Sequence, residues 1–389
     1  MLFDTYKIKN HIRLIELFAG IGSQAMALRD IGADFEHYRV VEFDKYAIKS
    51  YNAIHGTNFE PMDIRDIKGK DLGIVDTDEH TYVLTYSFPC QDLSLAGKHK
   101  GMTKGSGTRS GLLWEVERLL NETENLPQIL LMENVPQVHG KKNINDFNLW
   151  IEFLKSKGYS NFWQDLNAKD YGVAQNRKRC FMVSILGNAV YEFPKPTKLT
   201  KCMKDYLEDE VDEKYYIKSE KAYKLILDLQ ERGILENKER FTCDLTVGTP
   251  REIDVMNCIK ARYNQGIVNH PKEGGGVIEK VKQLGNFTES KRNNPNTNRV
   301  YDKDALSPAL NTMQGGNLQP MIVEALKDKK LLADYRIRKL TPCECWRLMG
   351  FSDDDFNKAQ CVNSNTQLYK QAGNSIVKDV LMAIFRQMI

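Results

Sequence analysis

The chain has 389 residues, of which 41% are hydrophobic and 28% are charged. This composition is typical of a folded protein of about two domains and excludes an intrinsically disordered chain. The formal net charge of +3 permits contact with nucleic acid but is too small to indicate a protein that coats DNA. There is no apolar run of about 18 residues and no secretory signal at the start, so we expect a cytoplasmic protein without a membrane span.

The eight cysteines are too sparse for a disulfide framework in a chain of this length. The closest pair, Cys343 and Cys345, does not have the spacing of a zinc site. We therefore expect reduced thiols and no bound metal.

Short apolar runs alternate with helical patterns through the first half of the chain. The predicted strands cover residues 12–17, 38–43, 82–86, 129–132 and 180–186, and the predicted helices cover 23–30, 45–54, 112–120 and 146–157. This alternation predicts an α/β domain with a doubly wound, mostly parallel sheet that is covered by helices on both faces.

The composition changes after Pro194-Lys195-Pro196, where a polar and later loop-rich segment begins. A charged helical stretch is predicted at 215–239. The segment from Arg251 to Lys303 contains ten Lys and Arg but only six Asp and Glu. This basic excess is compatible either with a nucleic-acid surface or with an ordinary solvated loop. Regular patterning returns near the C-terminus, where an amphipathic helix is predicted over 375–388.

A glycine-containing turn, Phe18-Ala19-Gly20-Ile21-Gly22, joins the first predicted strand to the first helix. Glycines there let the backbone turn tightly and approach a ligand, although the full dinucleotide fingerprint is absent. Glu42 ends the next strand, where an acidic side chain binds ribose hydroxyls. Asp63 follows at a position that suits an adenine amino group. The pattern predicts a nucleoside cofactor, and its alternative is a tight structural turn with two solvated acids.

Cys90, in Pro89-Cys90-Gln91, follows the predicted strand 82–86. Ligands of open α/β sheets bind beyond the carboxyl ends of the strands, and a thiolate at that edge is a strong nucleophile. The alternative for Cys90 is a small buried apolar residue.

Charged residues flank the next two predicted strands. Glu133 ends one strand and could protonate a ring nitrogen, whereas Arg177 and Arg179 precede the other and offer paired donors to a base carbonyl or a phosphate. The alternatives are a salt-bridged acid and a solvated charge run.

Together these motifs resemble the cytosine-5 DNA methyltransferase family, of the bacterial or phage restriction-modification type. In chain order the motifs are Phe18 to Gly22, Pro89-Cys90-Gln91, Glu133-Asn134-Val135, Gln175 to Arg179 and Gly373-Asn374-Ser375. Smaller matches are Gly107-Thr108-Arg109-Ser110-Gly111 and Arg338-Lys339-Leu340-Thr341-Pro342. The resemblance covers about 1–190 and 335–389.

The resemblance implies an enzyme that transfers a methyl group from S-adenosylmethionine to carbon 5 of a flipped-out cytosine in a short DNA sequence, leaving S-adenosylhomocysteine. Cys90 would attack carbon 6, with Glu133, Arg177 and Arg179 completing the catalytic set. By similarity, the cofactor pocket would comprise Phe18, Ala19, Gly20, Ile21, Gly22, Glu42, Phe43, Asp63, Ile64, Pro89, Asn374 and Ser375.

The resemblance also implies a catalytic and cofactor-binding domain at 1–192 completed by 365–389, a target-recognition domain at 193–335 and a connecting segment at 336–364. The partner would be double-stranded DNA, and a cognate restriction endonuclease would act separately. We expect a monomer, although no sequence feature distinguishes it from a dimer. Many family members carry a Thr-Leu pair in the variable region, where this chain has Ala309-Leu310 and leaves Thr312 as the candidate replacement.

Three alternatives are weaker. A transfer-RNA cytosine methyltransferase would carry a Cys-Phe-Thr motif, which this chain lacks. An inactive DNA-binding relative would have lost Cys90, Glu133 or the glycine turn, all of which are intact. A nicotinamide-dependent oxidoreductase would be expected to have the third glycine of the fingerprint, which is missing here.

Overall fold

A computed structural model describes residues 5–90, 92–93, 101–217, 219–235, 240–244, 251–259, 276–280, 283–286, 299–301 and 335–389. The chain divides into two compact units, the first formed by Met1–Lys201 with Trp346–Ile389 and the second by Cys202–Cys345.

The boundary between the units differs from the predicted one, because it falls after residue 201 rather than after 192. Residues just beyond 192 are tied to the first unit, since the Tyr171 hydroxyl donates to the Pro194 carbonyl at 2.9 Å and the Thr197 amide donates to the Asp170 carbonyl at 2.8 Å. The predicted connecting segment 336–364 is not separate, and its residues are divided between the two units.

The first unit contains most of the regular structure. Its elements are β1 Ile12–Leu17, α1 Ser23–Asp30, β2 Phe35–Val41, α2 Lys45–His55, β3 Thr81–Tyr86, α3 Leu113–Glu122, β4 Ile129–Asn134, α4 Ile144–Ser156, β5 Tyr159–Asn167, β6 Gln175–Asn176 and β7 Lys178–Leu186. The chain enters the second unit with α5 Glu220–Glu231, β8 Arg240–Asp244, β9 Arg251–Glu252, β10 Met256–Asn257, β11 Gly276–Lys280, β12 Gln283–Asn286, β13 Arg299–Tyr301 and β14 Tyr335–Lys339. It ends with α6 Pro342–Arg347, α7 Asp353–Gln360, α8 Asn365–Asn374 and α9 Lys378–Phe385. None of the described helices is long and apolar enough to cross a membrane.

The first unit is built on a six-stranded sheet in the order β2-β1-β3-β4-β7-β5. Strands β1 to β4 are mutually parallel, whereas β7 is antiparallel to both of its neighbours. The central strands β3 and β4 are buried at every position, as expected of parallel strands covered on both faces. The predicted α/β class with a mostly parallel sheet is confirmed.

Local sequence signals explain where the first helices begin and end. The Asp44 side chain accepts a hydrogen bond from the Tyr46 amide and starts α2, and Gly56 ends it in a left-handed conformation. Helix α3 buries one apolar stripe against the sheet, formed by Leu113, Val116, Leu119 and Leu120.

The strand order reverses direction at β1, which has β2 on one side and β3 on the other. A reversal of this kind opens a crevice beyond the carboxyl ends of the strands, where open α/β sheets bind ligands. The glycine turn follows β1 and Cys90 follows β3, so both lie at this crevice. Because β7 is antiparallel, its first residues lie at the same edge as the end of β4, with Cys180 opposite Asn134.

The second unit has an antiparallel sheet in the order β14-β11-β8-β9, with apolar residues of α5 in its core. Arg338 and Glu344, both fully buried, form a paired ion bridge with two N–O distances of 2.9 Å. Ala309-Leu310, Thr312 and much of the basic segment 251–303 lie outside the described residues.

Three element predictions need correction. Strand β5 was not predicted, because it is an edge strand whose residues are largely half-buried or exposed and form no apolar run. The predicted C-terminal helix 375–388 is shorter, covering Lys378–Phe385, and a separate helix, α8, precedes it. The charged helix predicted at 215–239 covers only Glu220–Glu231.

Candidate active site

The carboxyl edge of the sheet brings Glu133 and Arg179 together beside Cys90. Glu133, at the end of β4, is only 8% exposed. The Arg179 Nε lies 3.2 Å from the Glu133 Oε1. Cys90, a half-buried free thiol, follows β3, the strand next to β4. A thiol, a carboxyl group and a guanidinium therefore converge at one edge.

These groups influence one another's protonation. Burial raises the pKa of Glu133, an effect that the charges of Arg179 and Arg177 partly oppose. Burial also raises the pKa of Cys90; the nearby Glu133 raises it further, and the two arginines lower it. A carboxyl group with a raised pKa holds its proton closer to neutral pH than an ordinary glutamate does.

Arg177 lies in a different environment from Arg179. It is only 4% exposed. Its Nη2 donates to the carbonyls of Gly373 at 2.9 Å and Ser375 at 2.7 Å. The catalytic role that the sequence assigned to Arg177 stays a prediction, and these contacts favour the positioning of the Gly373–Ser375 segment.

The glycine turn after β1 needs unusual backbone conformations. Phe18 and Gly20 both have a φ of 58°, and Gly22 has a φ of 81°. A Cβ on Gly22 would lie 2.4 Å from the His55 Nε2, whereas one on Gly20 would meet open space. Glycine is thus required at position 22, because any side chain there would collide with His55. The open space at Gly20 allows close approach of a ligand. The other two residues of the turn, Ala19 and Ile21, are buried.

Glu42 holds this turn through its carboxylate. Its Oε2 accepts from the Gly20 amide at 2.9 Å, and its Oε1 accepts from the Asp44 amide at 2.8 Å. Each oxygen keeps further lone pairs for hydroxyl donors. The neighbouring Phe43 is 75% exposed, so its ring presents an uncovered aromatic face beside Glu42.

The segment of Asp63 and Ile64 is attached to Glu42, because the Met62 amide donates to the Glu42 carbonyl at 2.8 Å. Arg65 donates to Asp63 from its backbone amide at 3.0 Å and from Nε at 2.9 Å, and it lowers the pKa of that carboxyl. Ile64 is buried. The carboxylate, the exposed ring and the open turn fit the ribose and base of a nucleoside.

A polar network lies beneath the glycine turn and was not predicted. Glu16 on β1 is fully buried, and its Oε2 accepts from the Tyr51 hydroxyl at 2.5 Å. The same hydroxyl lies 2.7 Å from the His37 Nδ1. Burial raises the pKa of Glu16 to about 7, although Tyr51 and the Ala25 amide oppose the shift. The only sequence signal for this network is an acidic residue inside an apolar strand.

The remaining predicted pocket residues are placed by backbone contacts. The Pro89 carbonyl accepts from the Ser110 hydroxyl at 2.7 Å. Asn374 ends α8 and is exposed, whereas Ser375 is buried and its hydroxyl donates to the Gln371 carbonyl at 2.7 Å. Arg177 contacts this segment and also influences the pKa of Cys90, so the segment lies near the catalytic edge.

One group of potential metal ligands occurs among the described residues. His139, Asp165 and Cys180 have ligand atoms within 4.8 Å of one another. Both oxygens of Asp165 are already engaged, at 2.9 Å from the His139 Nε2 and at 3.1 Å from the Lys178 Nζ. Burial raises the pKa of the Cys180 thiol, which disfavours the thiolate that a metal needs. The arrangement favours an ion-pair network.

A model of the C-5 cytosine-specific DNA methylase family matches residues 12–389 of the chain. The chain belongs to this family. It is therefore an enzyme that methylates cytosine at carbon 5 in DNA, and the match does not favour the RNA-specific or inactive alternatives.

Similar proteins come from bacteria and phages. The type II methyltransferase M2.ScrFI of Lactococcus lactis subsp. cremoris is 31% identical, with 97% of this chain and 99% of the relative covered. The orphan methyltransferase M.SssI of Spiroplasma monobiae is 35% identical over 86% of this chain and 71% of its own length. The orphan methyltransferase M.SPBetaI of Bacillus phage SPbeta is 29% identical, with 97% of both chains covered.

Two solved structures share the fold at low sequence identity. The Entamoeba histolytica methyltransferase EhMeth aligns with a TM-score of 0.64 at 18% identity, covering 97% of this chain and 98% of the other. The S. pombe Dnmt2 methyltransferase aligns with a TM-score of 0.58 at 19% identity, covering 96% of each chain. Methyltransferases of this family depend in general on S-adenosylmethionine.

Proposed function

We propose that the enzyme methylates cytosine within one short sequence of double-stranded DNA through a covalent bond between the Cys90 sulfur and carbon 6 of the base. The observation that carries this proposal is the convergence of Cys90, Glu133 and Arg179 at the edge of the sheet beside the topological crevice. The covalent step is needed because carbon 5 of free cytosine reacts poorly with electrophiles. Addition of the sulfur to carbon 6 makes carbon 5 nucleophilic.

Cys90 begins the reaction as a thiol whose pKa is raised. As its sulfur bonds to carbon 6, the thiol proton leaves to water, and the ring nitrogen N3 takes up the proton that Glu133 carries. Glu133 then becomes a carboxylate, which its pairing with Arg179 at 3.2 Å stabilises. Once carbon 5 carries the methyl group, its proton passes to a base such as water and the Cys90 sulfur leaves as a thiolate. N3 then returns its proton to Glu133, which restores the neutral aromatic base and the protonated carboxyl group.

Arg179 has a second role in this scheme. Its half-buried guanidinium pairs with Glu133 through Nε and donates from Nη1 to the Lys178 carbonyl at 2.8 Å, which fixes its plane at the sheet edge where it would also donate to the base carbonyl. A planar donor set of this kind holds the base in the orientation that carbon 6 attack needs. We assign Arg177 to positioning, because its Nη2 donates to the backbone carbonyls of Gly373 and Ser375.

The cofactor pocket would be formed by the glycine turn, Glu42, Phe43, Asp63 and the Asn374-Ser375 segment. S-adenosylmethionine supplies an electrophilic methyl group on sulfonium when it is bound there. Glu42 would accept from the ribose hydroxyls, and the exposed Phe43 ring would cover one face of the adenine. Asp63, kept ionised by Arg65, would accept from the adenine amino group.

The second unit would read the DNA sequence. A cytosine stacked in a duplex hides carbon 6, so the nucleotide must be turned out of the helix at a cost of a few kcal/mol. Contacts to phosphates, which dominate affinity for DNA, would offset that cost. The named relatives suggest a role in restriction-modification, with any cognate endonuclease acting as a separate protein.

The test is methyl transfer from labelled S-adenosylmethionine to unmethylated plasmid DNA, followed by bisulfite sequencing, with transfer RNA offered as a parallel substrate. We expect methylation within one short motif by the wild-type enzyme and none by Cys90→Ser. Cofactor affinity, measured by calorimetry, should be unchanged in that variant.

The matched control is Cys361→Ser, which makes the same atomic change at an exposed cysteine in the first unit. It should retain full activity. Turnover by Cys90→Ser would remove Cys90 from the nucleophilic role, and label that appears only in transfer RNA would overturn the proposed substrate.

A further inference from the structure

The loop that carries Cys90 is held by three consecutive residues that the reaction scheme does not use. The Thr108 hydroxyl donates to the Gly101 carbonyl at 3.1 Å, and the Arg109 amide donates to the Asp92 Oδ2 at 2.9 Å. The Ser110 hydroxyl donates to the Pro89 carbonyl at 2.7 Å. These bonds therefore hold Pro89 and Asp92, on either side of Cys90, and Gly101 further along the chain.

Ser110 makes the contact nearest to the nucleophile. It is fully buried, and the carbonyl that it binds belongs to the residue directly before Cys90. A buried donor and acceptor pair is costly to break, because each group then loses its partner without gaining water. The bond thus fixes the peptide plane from which the Cys90 side chain departs.

A second buried contact supports the preceding peptide, between Phe88 and Pro89. The Asn134 Nδ2 donates to the Phe88 carbonyl at 2.9 Å, and the Asn134 side chain is 2% exposed. Asn134 adjoins Glu133 on β4, so this contact couples the Cys90 loop to the strand that carries the carboxyl group. Ser110 couples the loop to the start of α3 through its short 3₁₀ turn.

We propose that Ser110 is a positioning residue, and that it fixes the Cys90 sulfur at the distance from Glu133 that attack on carbon 6 requires. This inference rests on the proposed nucleophilic role of Cys90. Arg109 and Thr108 assist by holding Asp92 and Gly101. Ser110 itself does not touch the reacting base.

The test compares Ser110→Ala with Ser184→Ala. Ser184 lies on β7, is also fully buried, and has a hydroxyl without a hydrogen-bond partner among the described residues. The two variants thus remove the same atom from equally buried sites, but only one loses a bond to the Cys90 loop. Ser110→Thr, which restores a hydroxyl, is the rescue variant.

We expect kcat of Ser110→Ala to fall about 10- to 100-fold, since small displacements of reacting groups have effects of this size. The KM values for DNA and for S-adenosylmethionine should stay within about 3-fold, because the pockets themselves are unchanged. Ser184→Ala should keep a wild-type kcat, and Ser110→Thr should recover most of the loss. A kcat of Ser110→Ala within 2-fold of wild type would overturn the proposal.

A second readout separates positioning from general destabilisation. The rate at which iodoacetamide alkylates Cys90, followed across pH by mass spectrometry of its peptide, reports the pKa of the thiol, with exposed Cys361 as the internal reference. In Ser110→Ala the Cys90 profile should shift relative to wild type, since its spacing from Glu133 changes. An unchanged profile together with a lowered kcat would contradict the proposed role.

If Ser110→Ala does not fold, Asp92→Ala decides the question, because it removes the Arg109 contact on the other side of Cys90. For Asp92→Ala, a lowered kcat with unchanged KM values supports the proposal that these contacts position Cys90, and a wild-type kcat overturns it. Failure of the proposed function itself looks different. In that case wild-type enzyme and Cys90→Ser would show equal activity, whatever Ser110→Ala does.

Discussion

The buried Glu16 gives the stability of this enzyme a specific dependence on pH. Its pKa is raised from 4.5 to about 7 by burial in the folded chain. In the unfolded chain the carboxyl ionises near 4.5, so between about pH 4.5 and 7 the unfolded state releases a proton that the folded state keeps. The contribution of Glu16 to the free energy of unfolding therefore falls as the pH rises through this window and levels off above it.

The size of the effect follows from the shift, because one pKa unit corresponds to about 1.4 kcal/mol. The change in Glu16 from 4.5 to about 7 amounts to about 3 kcal/mol in the plateau near pH 8. Glu16→Gln is neutral at every pH and can still accept from the Tyr51 hydroxyl. We expect the free energy of unfolding of Glu16→Gln, relative to wild type, to rise by about 3 kcal/mol between pH 4 and pH 8. This corresponds to about 5 to 10 °C in melting temperature.

The assay is thermal unfolding of both proteins at half-unit steps from pH 4 to pH 8.5. Glu124→Gln, at an exposed position, controls for the loss of one charge and should show no such pH-dependent gain. A difference in melting temperature between Glu16→Gln and wild type that is constant across this range would refute the reasoning. It would mean that the Glu16 carboxyl titrates alike in the folded and unfolded chains.

Three further predictions concern Gly22, Glu42 and Arg177. Gly22→Ala should destabilise the enzyme by about 1 to 3 kcal/mol and abolish cofactor binding, since its φ is 81° and the added Cβ would meet His55; urea unfolding and calorimetry test this, and a wild-type midpoint contradicts it. Glu42→Ala should raise the dissociation constant for S-adenosylmethionine about 10- to 100-fold with little change in DNA affinity, and an unchanged constant would show that the ribose assignment is wrong. Arg177→Ala should lower the unfolding free energy by about 2 to 4 kcal/mol, because two backbone carbonyls lose their buried donor. A stable Arg177→Ala enzyme that binds cofactor but has no turnover would instead support a direct catalytic role.

The residues at strand ends could be predicted because buried strands leave a clear signal. Strands β3 and β4 are buried at every position and consist mostly of apolar residues, so Cys90 and Glu133 stand out as reactive residues that follow or finish them. The short glycine spacing at 18–22 likewise marks the turn after β1. In each case the chemistry lies within a few residues of the pattern that reveals it.

Features that depend on tertiary contacts could not be predicted. Strand β5 has no apolar run because it lies at the edge of the sheet, where its one neighbour among the described strands of that sheet is β7. The contact of Arg177 with Ser375 joins residues that are 198 positions apart, so its positioning role is invisible in the sequence. Ser110 stands in a short motif of common residues, and only its bond to the Pro89 carbonyl gives it a role. Arg65 is one basic residue in a charged stretch until the structure places it against Asp63.

The central claim is the covalent bond between Cys90 and the base, and the most direct measurement traps it. DNA in which 5-fluorocytosine replaces the target cytosine blocks the final step, since fluorine at carbon 5 cannot leave as the proton does. Incubation with S-adenosylmethionine, digestion and mass spectrometry should find the modified base attached to the peptide that contains Cys90. Attachment to another of the eight cysteines, or normal turnover of cytosine DNA without any adduct, would contradict the account.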